Sequence, residues 1–212
     1  LRILVDGLDL SGKTTLTHAL VGEFADRGVP AVRHRGMLAH HHPIEPILKR
    51  LPLFRQPDSS LITTAFLGAG YALDALLVKA DPPQPRGTVL VQDGYADRTV
   101  AFGIAGGPYL AAVLGLRWPA LFAPFDLAVY VHAPIAVRRK RVAGREDIDA
   151  NDRRSVEDRP FADLFNAVLL HGMGRRHRRL LVFDTAEHSP QQMARQIADA
   201  ALATASTERR TA

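Results

Sequence analysis

Gly7-Leu8-Asp9-Leu10-Ser11-Gly12-Lys13-Thr14 follows directly on the apolar-rich run Leu1-Arg2-Ile3-Leu4-Val5 and precedes the helix-like Thr15-Leu16-Thr17-His18-Ala19-Leu20-Val21. It fits the phosphate-binding pattern G-x-x-x-x-G-K-[ST] in full, and a strand before it with a helix after it is the context that pattern requires. The backbone of Gly7, Leu10, Ser11, Gly12 and Thr15, with the positive end of the helix, then surrounds a di- or triphosphate. Lys13 reaches the β- and γ-phosphates and the Thr14 hydroxyl ligates Mg²⁺. The motif predicts a chain that handles ATP or GTP at the tip of its first strand.

Outward from the loop, short β-rich runs alternate with longer helical patterns, which predicts a parallel sheet covered by helices on both faces. The strands are expected at Ile3 to Val5, Ala31 to Arg33, Thr88 to Gln92, Leu127 to His132 and Leu180 to Phe183. The helices are expected near Lys13 to Arg27, Ile44 to Leu51, Ser60 to Lys79, Arg98 to Leu114, Ile135 to Ala143, Phe161 to His171 and Pro190 to Thr204. The fold class is therefore α/β, a three-layer P-loop sandwich on a five-stranded parallel sheet. Its single domain is expected to span residues 1–204, with 205–212 as a flexible tail and Asp81-Pro82-Pro83-Gln84-Pro85-Arg86-Gly87 as a stiff connector.

A chain of 212 residues that is 47% hydrophobic is long enough for one full core. Without an apolar run of about 18 residues or a leader-like start, it is expected to be cytoplasmic, with no membrane contact. The absence of cysteine excludes disulfides, a thiol nucleophile and a cysteine zinc site. A net charge of +5 suits a polyanionic ligand. Arginines gather in two blocks, Arg138 to Arg154 and Arg175 to Arg179, with few aromatics between them to stack bases, so nucleic acid is not the expected partner.

Thr88-Val89-Leu90-Val91-Gln92-Asp93 reads as a buried strand ending in a carboxylate, the arrangement in which Asp93 shares the Mg²⁺ with Thr14. Between Ile135 and Arg159 stand Arg138, Arg139, Lys140, Arg141, Arg145, Arg153, Arg154 and Arg159 in a polar stretch that predicts a mobile, arginine-rich lid at about 138–159. Guanidinium groups delivered by such a lid stabilise the charge spread over a transferring phosphoryl group. His40-His41-His42-Pro43 invites a metal reading, but adjacent histidines point to alternating sides and no cysteine or suitably spaced carboxylate completes a set. A polar loop facing the cleft is the preferred expectation, and the role of His40, His41 and His42 stays open.

Several pieces combine into a resemblance: the loop Gly7 to Thr15, Arg33-His34-Arg35-Gly36, Tyr71-Ala72-Leu73-Asp74, Asp93-Gly94-Tyr95, Asp152-Arg153, and Val182-Phe183-Asp184-Thr185 with Gln192 to Ile197. Across most of its length the chain resembles the thymidylate kinase family of P-loop nucleoside monophosphate kinases. The resemblance implies an ATP-dependent, Mg²⁺-requiring kinase with a nucleotide-like acceptor, and a homodimer. It places Asp9 against the acceptor's sugar, Tyr71 on or against its base, and Arg139 over the donor adenine; Arg33, Asp74, Asp93 and Arg98 are also expected to line the acceptor site. Arg145 and Arg153 would reach the phosphates from the lid, with Lys13 and Asp9 completing the catalytic set.

Two positions depart from the family. D-R-Y reads Asp93-Gly94-Tyr95 here, and the family's D-R on the preceding helix reads Asp74-Ala75. Charge-assisted phosphate contacts are worth about 1.5 to 3 kcal/mol each, so losing two weakens a monophosphate acceptor by roughly several hundredfold or more unless they are replaced. Arg98, one helical turn beyond Gly94, and Arg33 or Arg35 are the candidate replacements. A kinase for a neutral hydroxyl acceptor, using Asp6, Asp9 or Asp93 as base, and a nucleotide-binding switch are the alternative readings.

Overall fold

The computed structural model describes residues 1–50, 60–85, 87–106, 110–145 and 147–211. Five strands, β1 (Arg2–Asp6), β2 (Ala31–His34), β3 (Val89–Asp93), β4 (Leu127–His132) and β5 (Leu180–Asp184), form one parallel sheet in the order β2-β3-β1-β4-β5. The central strand β1 aligns Val5 with Asp93 of β3 and with Val129 of β4. The ends of β1 and β3 therefore lie side by side beneath the phosphate loop.

Both faces of the sheet are covered, so the inner strands are apolar at nearly every position rather than alternating with polar residues. Ile3, Val5, Val91, Val129 and Val131 face α1 (Lys13–Asp26) and α10 (Pro190–Thr211), packing on Leu16, Leu20, Phe24, Met193 and Ile197. Leu4, Leu90, Ala128 and Tyr130 face the other layer, α5 (Ala96–Gly106), α6 (Leu110–Arg117) and α9 (Arg159–Arg176), with Val100, Phe161, Phe165 and Leu169. These two apolar layers fix the sheet, and with it the loop at its edge.

All five strands fall within a residue or two of their expected positions. The long helix expected over Ser60 to Lys79 is three pieces: α3 (Ser60–Ala65), a π-helical turn (Phe66–Ala72) and α4 (Leu73–Leu77). Gly70 sits in that turn against Met37, whose methyl would lie 2.3 Å from a Cβ at that position. The expected helix Arg98 to Leu114 divides into α5 and α6, and residues 107–109 lie outside the described residues. The helix expected to end at Leu51 is α2 (Glu45–Arg50), Leu51 also lying outside them. Arg86 of the expected connector lies outside them too, while Asp81 at its head accepts from the backbone N–H of His41 at 2.8 Å.

Two differences have local causes. The polar stretch after α7 (Ile135–Ala143) holds a helix, α8 (Ala150–Glu157), started by Asp149, whose carboxylate accepts from the Asp152 N–H at 2.8 Å. Asp152, Ser155 and Val156 are buried, so this stretch does bury part of itself. At the other end, α10 continues through the segment expected as a tail, which contains no Gly or Pro to stop it. Among the described residues, no helix is long and apolar enough to cross a membrane.

Candidate active site

The loop's backbone conformation follows from its neighbours. A Cβ at Gly7 would stand 2.2 Å from the carbonyl oxygen of Val131, so only glycine lets β1 turn into the loop against β4. Gly12 takes φ 97° and Leu10 φ 66°, the left-handed conformations that turn successive N–H groups inward. For Leu10 that conformation costs about 1 kcal/mol, a strain held by packing, since its side chain is buried.

Lys13 curls over the loop. Its ammonium donates to the carbonyls of Gly7 and Leu8 at 2.9 and 3.0 Å and lies 3.9 Å from the Asp9 carboxylate. Burial, aided by the Arg98 charge, brings its pKa down to about 8. Beside it, the Thr14 hydroxyl donates to Asp93 Oδ2 at 3.3 Å, so the residues expected to hold a metal do meet. Ser11 Oγ is buried without a partner among the described residues, and Thr15 is exposed at the start of α1. A buried hydroxyl lacking a partner beside a lysine and inward N–H groups fits a phosphate oxygen, and an exposed hydroxyl touching a carboxylate fits Mg²⁺.

Two arginines converge on the β3 side of the loop. Arg33, at the end of β2, donates through Nη2 to Asp93 Oδ2 at 2.5 Å and through Nε to Thr17 Oγ1 at 3.0 Å. Arg98, on the first turns of α5, donates to Gly7 O at 2.7 Å and to Asp9 Oδ1 at 2.5 Å. Although burial alone raises the Asp9 carboxyl, Arg98 and Lys13 hold it below its ordinary value. The third carboxylate, Asp6 at the end of β1, is pushed up to about 6 by burial and accepts from the Gly7 and Tyr95 N–H groups.

On the side of α7 and α8, Arg145 donates to Asp152 Oδ2 at 3.3 Å, and its charge acts on Asp9. Arg153 is exposed on the outer side of α8, lining a surface hollow with Ala150, Arg154 and Glu157. Arg139 is also exposed, its Nε 3.4 Å from Val156 O. It is Arg141 that reaches the loop, donating to Leu10 O at 2.7 Å and to Thr185 Oγ1 at 3.1 Å. Helical spacing explains the difference. Arg138 and Arg141, three apart, share the inner face of α7, and Arg139 is turned away.

The acceptor end expected at Tyr71 and Asp74 is a packed core. Asp74 is fully buried, and its two oxygens accept from the Leu38 and Ala39 N–H groups and the Tyr95 hydroxyl, at 2.9, 2.7 and 2.5 Å. With all three donors internal, it ties β2's exit loop to α4. Tyr71 stands edge-on to Tyr95, ring centroids 4.8 Å apart, and burial pushes its hydroxyl up to about 12. The histidine run has a local structural role. His42 Nδ1 accepts from the Glu45 N–H at 3.0 Å and Nε2 lies 3.1 Å from Gly70 O, so the ring starts α2 and seats it on the π-helical turn. His41 binds Asp81, and His40 stands edge-on to it.

The fold recurs in solved structures. Thymidylate kinase from Candida albicans, described as having broad substrate specificity, superposes with a TM-score of 0.59 at 14% identity, over 96% of this chain and 91% of that one. The chain has the thymidylate kinase fold. Deoxyadenosine kinase from M. mycoides, solved with dCMP and a flexible dCDP bound, gives a TM-score of 0.58 at 12% identity, over 96% of this chain and 100% of that one. No protein-family model and no curated protein matches the sequence.

Proposed function

We propose that this chain is an ATP-dependent phosphotransferase that moves the γ-phosphoryl group onto the phosphate of a nucleoside monophosphate or close analogue. The observation that carries this reading is the convergence of Arg33 and Arg98 on Asp93 and Asp9, at the end of the cleft where Gly94 and Ala75 supply no cation. A phosphate oxygen is already an anionic nucleophile and needs no base. A neutral hydroxyl needs one, and the carboxylates here are poorly suited: Asp9 and Asp93 are each held by a cation, and both Asp6 oxygens accept backbone N–H groups.

Lys13 and the loop N–H groups bind the β- and γ-phosphates, and Arg145 reaches the transferring group from α8's side of the cleft. Arg153 joins it only if α8 turns its outer face inward. Thr14 and Asp93 would hold Mg²⁺, which when bound neutralises phosphate oxygens and orients them for in-line transfer. Arg141 and Thr185 flank the loop on its other side, the donor side in this reading.

ADP release in the presence of the deoxynucleoside and ribonucleoside monophosphates and their nucleosides tests the proposal. Stimulation by one or more monophosphates is expected, with dTMP among the candidates. Greater stimulation by a neutral nucleoside would favour the second reading, a hydroxyl acceptor, which draws support from the open notch at Gly94. Slow hydrolysis that no acceptor stimulates would remove both.

A further inference from the structure

The end of the sheet away from the phosphate loop carries a cluster of its own. In a parallel sheet every strand is entered at that end, here through Trp118 to Asp126 into β4 and through His177 to Arg179 into β5. The two connections are joined: Arg176 Nη1 donates to Ala123 O at 2.8 Å, and the Arg178 N–H to Phe125 O at 3.4 Å. Pro119 and Arg175 line the same hollow between them. At the tip, the Trp118 N–H donates to Leu114 O at 2.9 Å and the Leu121 N–H to Trp118 O at 3.1 Å, so the turn is preformed. It nevertheless leaves Trp118 57% and Leu121 44% exposed, and Arg117, Arg175 and Arg178, on the helix ends and connections beside it, are exposed as well. No acidic residue occurs in 98–125 or in 164–183. Asp97 and Asp126 bound the first of these stretches. Asp97 is buried against Arg176, and Asp126 is half-buried, its Oδ2 accepting from the Arg2 N–H at 2.8 Å.

We propose that this tip docks the chain on membrane surfaces rich in anionic phospholipid, with the Trp118 and Leu121 side chains entering the headgroup region and the arginines pairing with lipid phosphates. An indole sits favourably at that depth, its ring in the apolar boundary and its N–H among polar groups. The arginines beside it meet a negative surface with no exposed carboxylate of their own segments to compete for them. A bilayer fits better than other anionic partners. Two exposed apolar side chains fall short of the area that a stable protein interface buries, whereas a lipid contact needs only a few such side chains backed by charge. A tip with one aromatic is also a poor platform for successive nucleic-acid bases. Surface contact needs no spanning helix, and among the described residues none is long and apolar enough to be one. Because the tip lies opposite the phosphate loop, a docked chain keeps its cleft facing away from the bilayer.

Trp118 is the sole tryptophan of the chain, so intrinsic tryptophan fluorescence reports this site alone. Vesicles of equal parts phosphatidylcholine and phosphatidylglycerol, added to the full chain at low salt, should shift its emission to shorter wavelength and carry the chain into the pellet on sedimentation. Vesicles of phosphatidylcholine alone should do neither. Raising salt to about 0.5 M should release the chain, because contacts between exposed charges are screened. Arg117→Ala combined with Arg175→Ala should weaken binding to the anionic vesicles at least tenfold, each arginine near such a surface being worth roughly a factor of five. Trp118→Ala combined with Leu121→Ala should weaken sedimentation comparably, with ATP binding unchanged. If that variant does not fold by circular dichroism, the arginine variant decides. No shift with anionic vesicles, equal binding to neutral ones, or unchanged binding in the arginine variant overturns the proposal. So does an emission shift produced by a single-stranded oligonucleotide but not by vesicles, or by raising protein concentration without lipid, since these assign the tip to nucleic acid or to a second copy of the chain.

Discussion

At the scale of single residues, Lys13 is under two opposed influences. Burial and the Arg98 charge favour its neutral form, with a pKa of about 8, while Asp9, Asp6 and Asp93 favour the cation. A bound triphosphate adds negative charge and must raise that pKa. ATP binding should therefore take up a proton near and above pH 8, and affinity should fall as pH rises from about 8 towards the ordinary lysine value near 10.4, by up to about tenfold per pH unit. Titration calorimetry in two buffers of different ionisation enthalpy measures that uptake, and its absence would mean that Lys13 is fully charged without ligand. Lys13→Ala should abolish turnover while the chain still folds by circular dichroism, because it removes the point charge on the β- and γ-phosphates.

At the scale of elements, α8 hangs on Arg138, one of the cations of the expected lid. Arg138 is 4% exposed, donating through Nε to Ala133 O at 3.0 Å and through Nη1 to Ser155 O, so it ties α8 to the end of β4. Hydrogen bonds from a charged donor are worth about 1.5 to 3 kcal/mol each, and Arg138→Ala should cost several kcal/mol. Hydrogen exchange would show the loss locally, with protection in Ala150–Glu157 falling more than in α9. In the connection before α8, Arg145→Ala should lower kcat tenfold or more, and Arg153→Ala on α8 less than threefold, since of the two only Arg145 acts on Asp9. Steady-state kinetics of the pair checks this, and the reverse order would mean that α8 rotates during turnover. The phosphate loop and the five strands were legible because glycine positions, the lysine and unbroken apolar runs are local signals. Arg141, Arg138 and the closed ring of donors around Asp74 were not, because which arginine of a cluster faces inward depends on where α7 begins, and Asp74's partners lie more than twenty residues away.

At the scale of the whole molecule, the second arginine block supplies an anchor through Arg176 and His177, while Arg175, Arg178 and Arg179 are exposed. Arg176 grips Asp97 through two nitrogens and donates to Ala123 O, while the His177 ring lies between Asp97 Oδ2 and the Phe125 N–H. Burial alone would raise the Asp97 carboxyl, but Arg176 and His177 hold it below its usual value. Its contribution to stability is thus complete above about pH 4 and is lost only as pH falls further. Removing one partner strands a buried charge, at about 3 to 5 kcal/mol. Asp97→Ala should accordingly lower Tm by about 6 to 20 °C in a chain of this size, read by calorimetry, with ATP affinity unchanged in the folded fraction. The strand order has a consequence of another kind. With β1 in the middle, Arg33, Asp93 and Arg98 approach the loop from the β2–β3 flank, and Arg141 and Thr185 approach from the β4–β5 flank. Descent can therefore retailor one flank and leave the other untouched, so relatives of this chain are free to inherit a common grip on one ligand while parting company over the second.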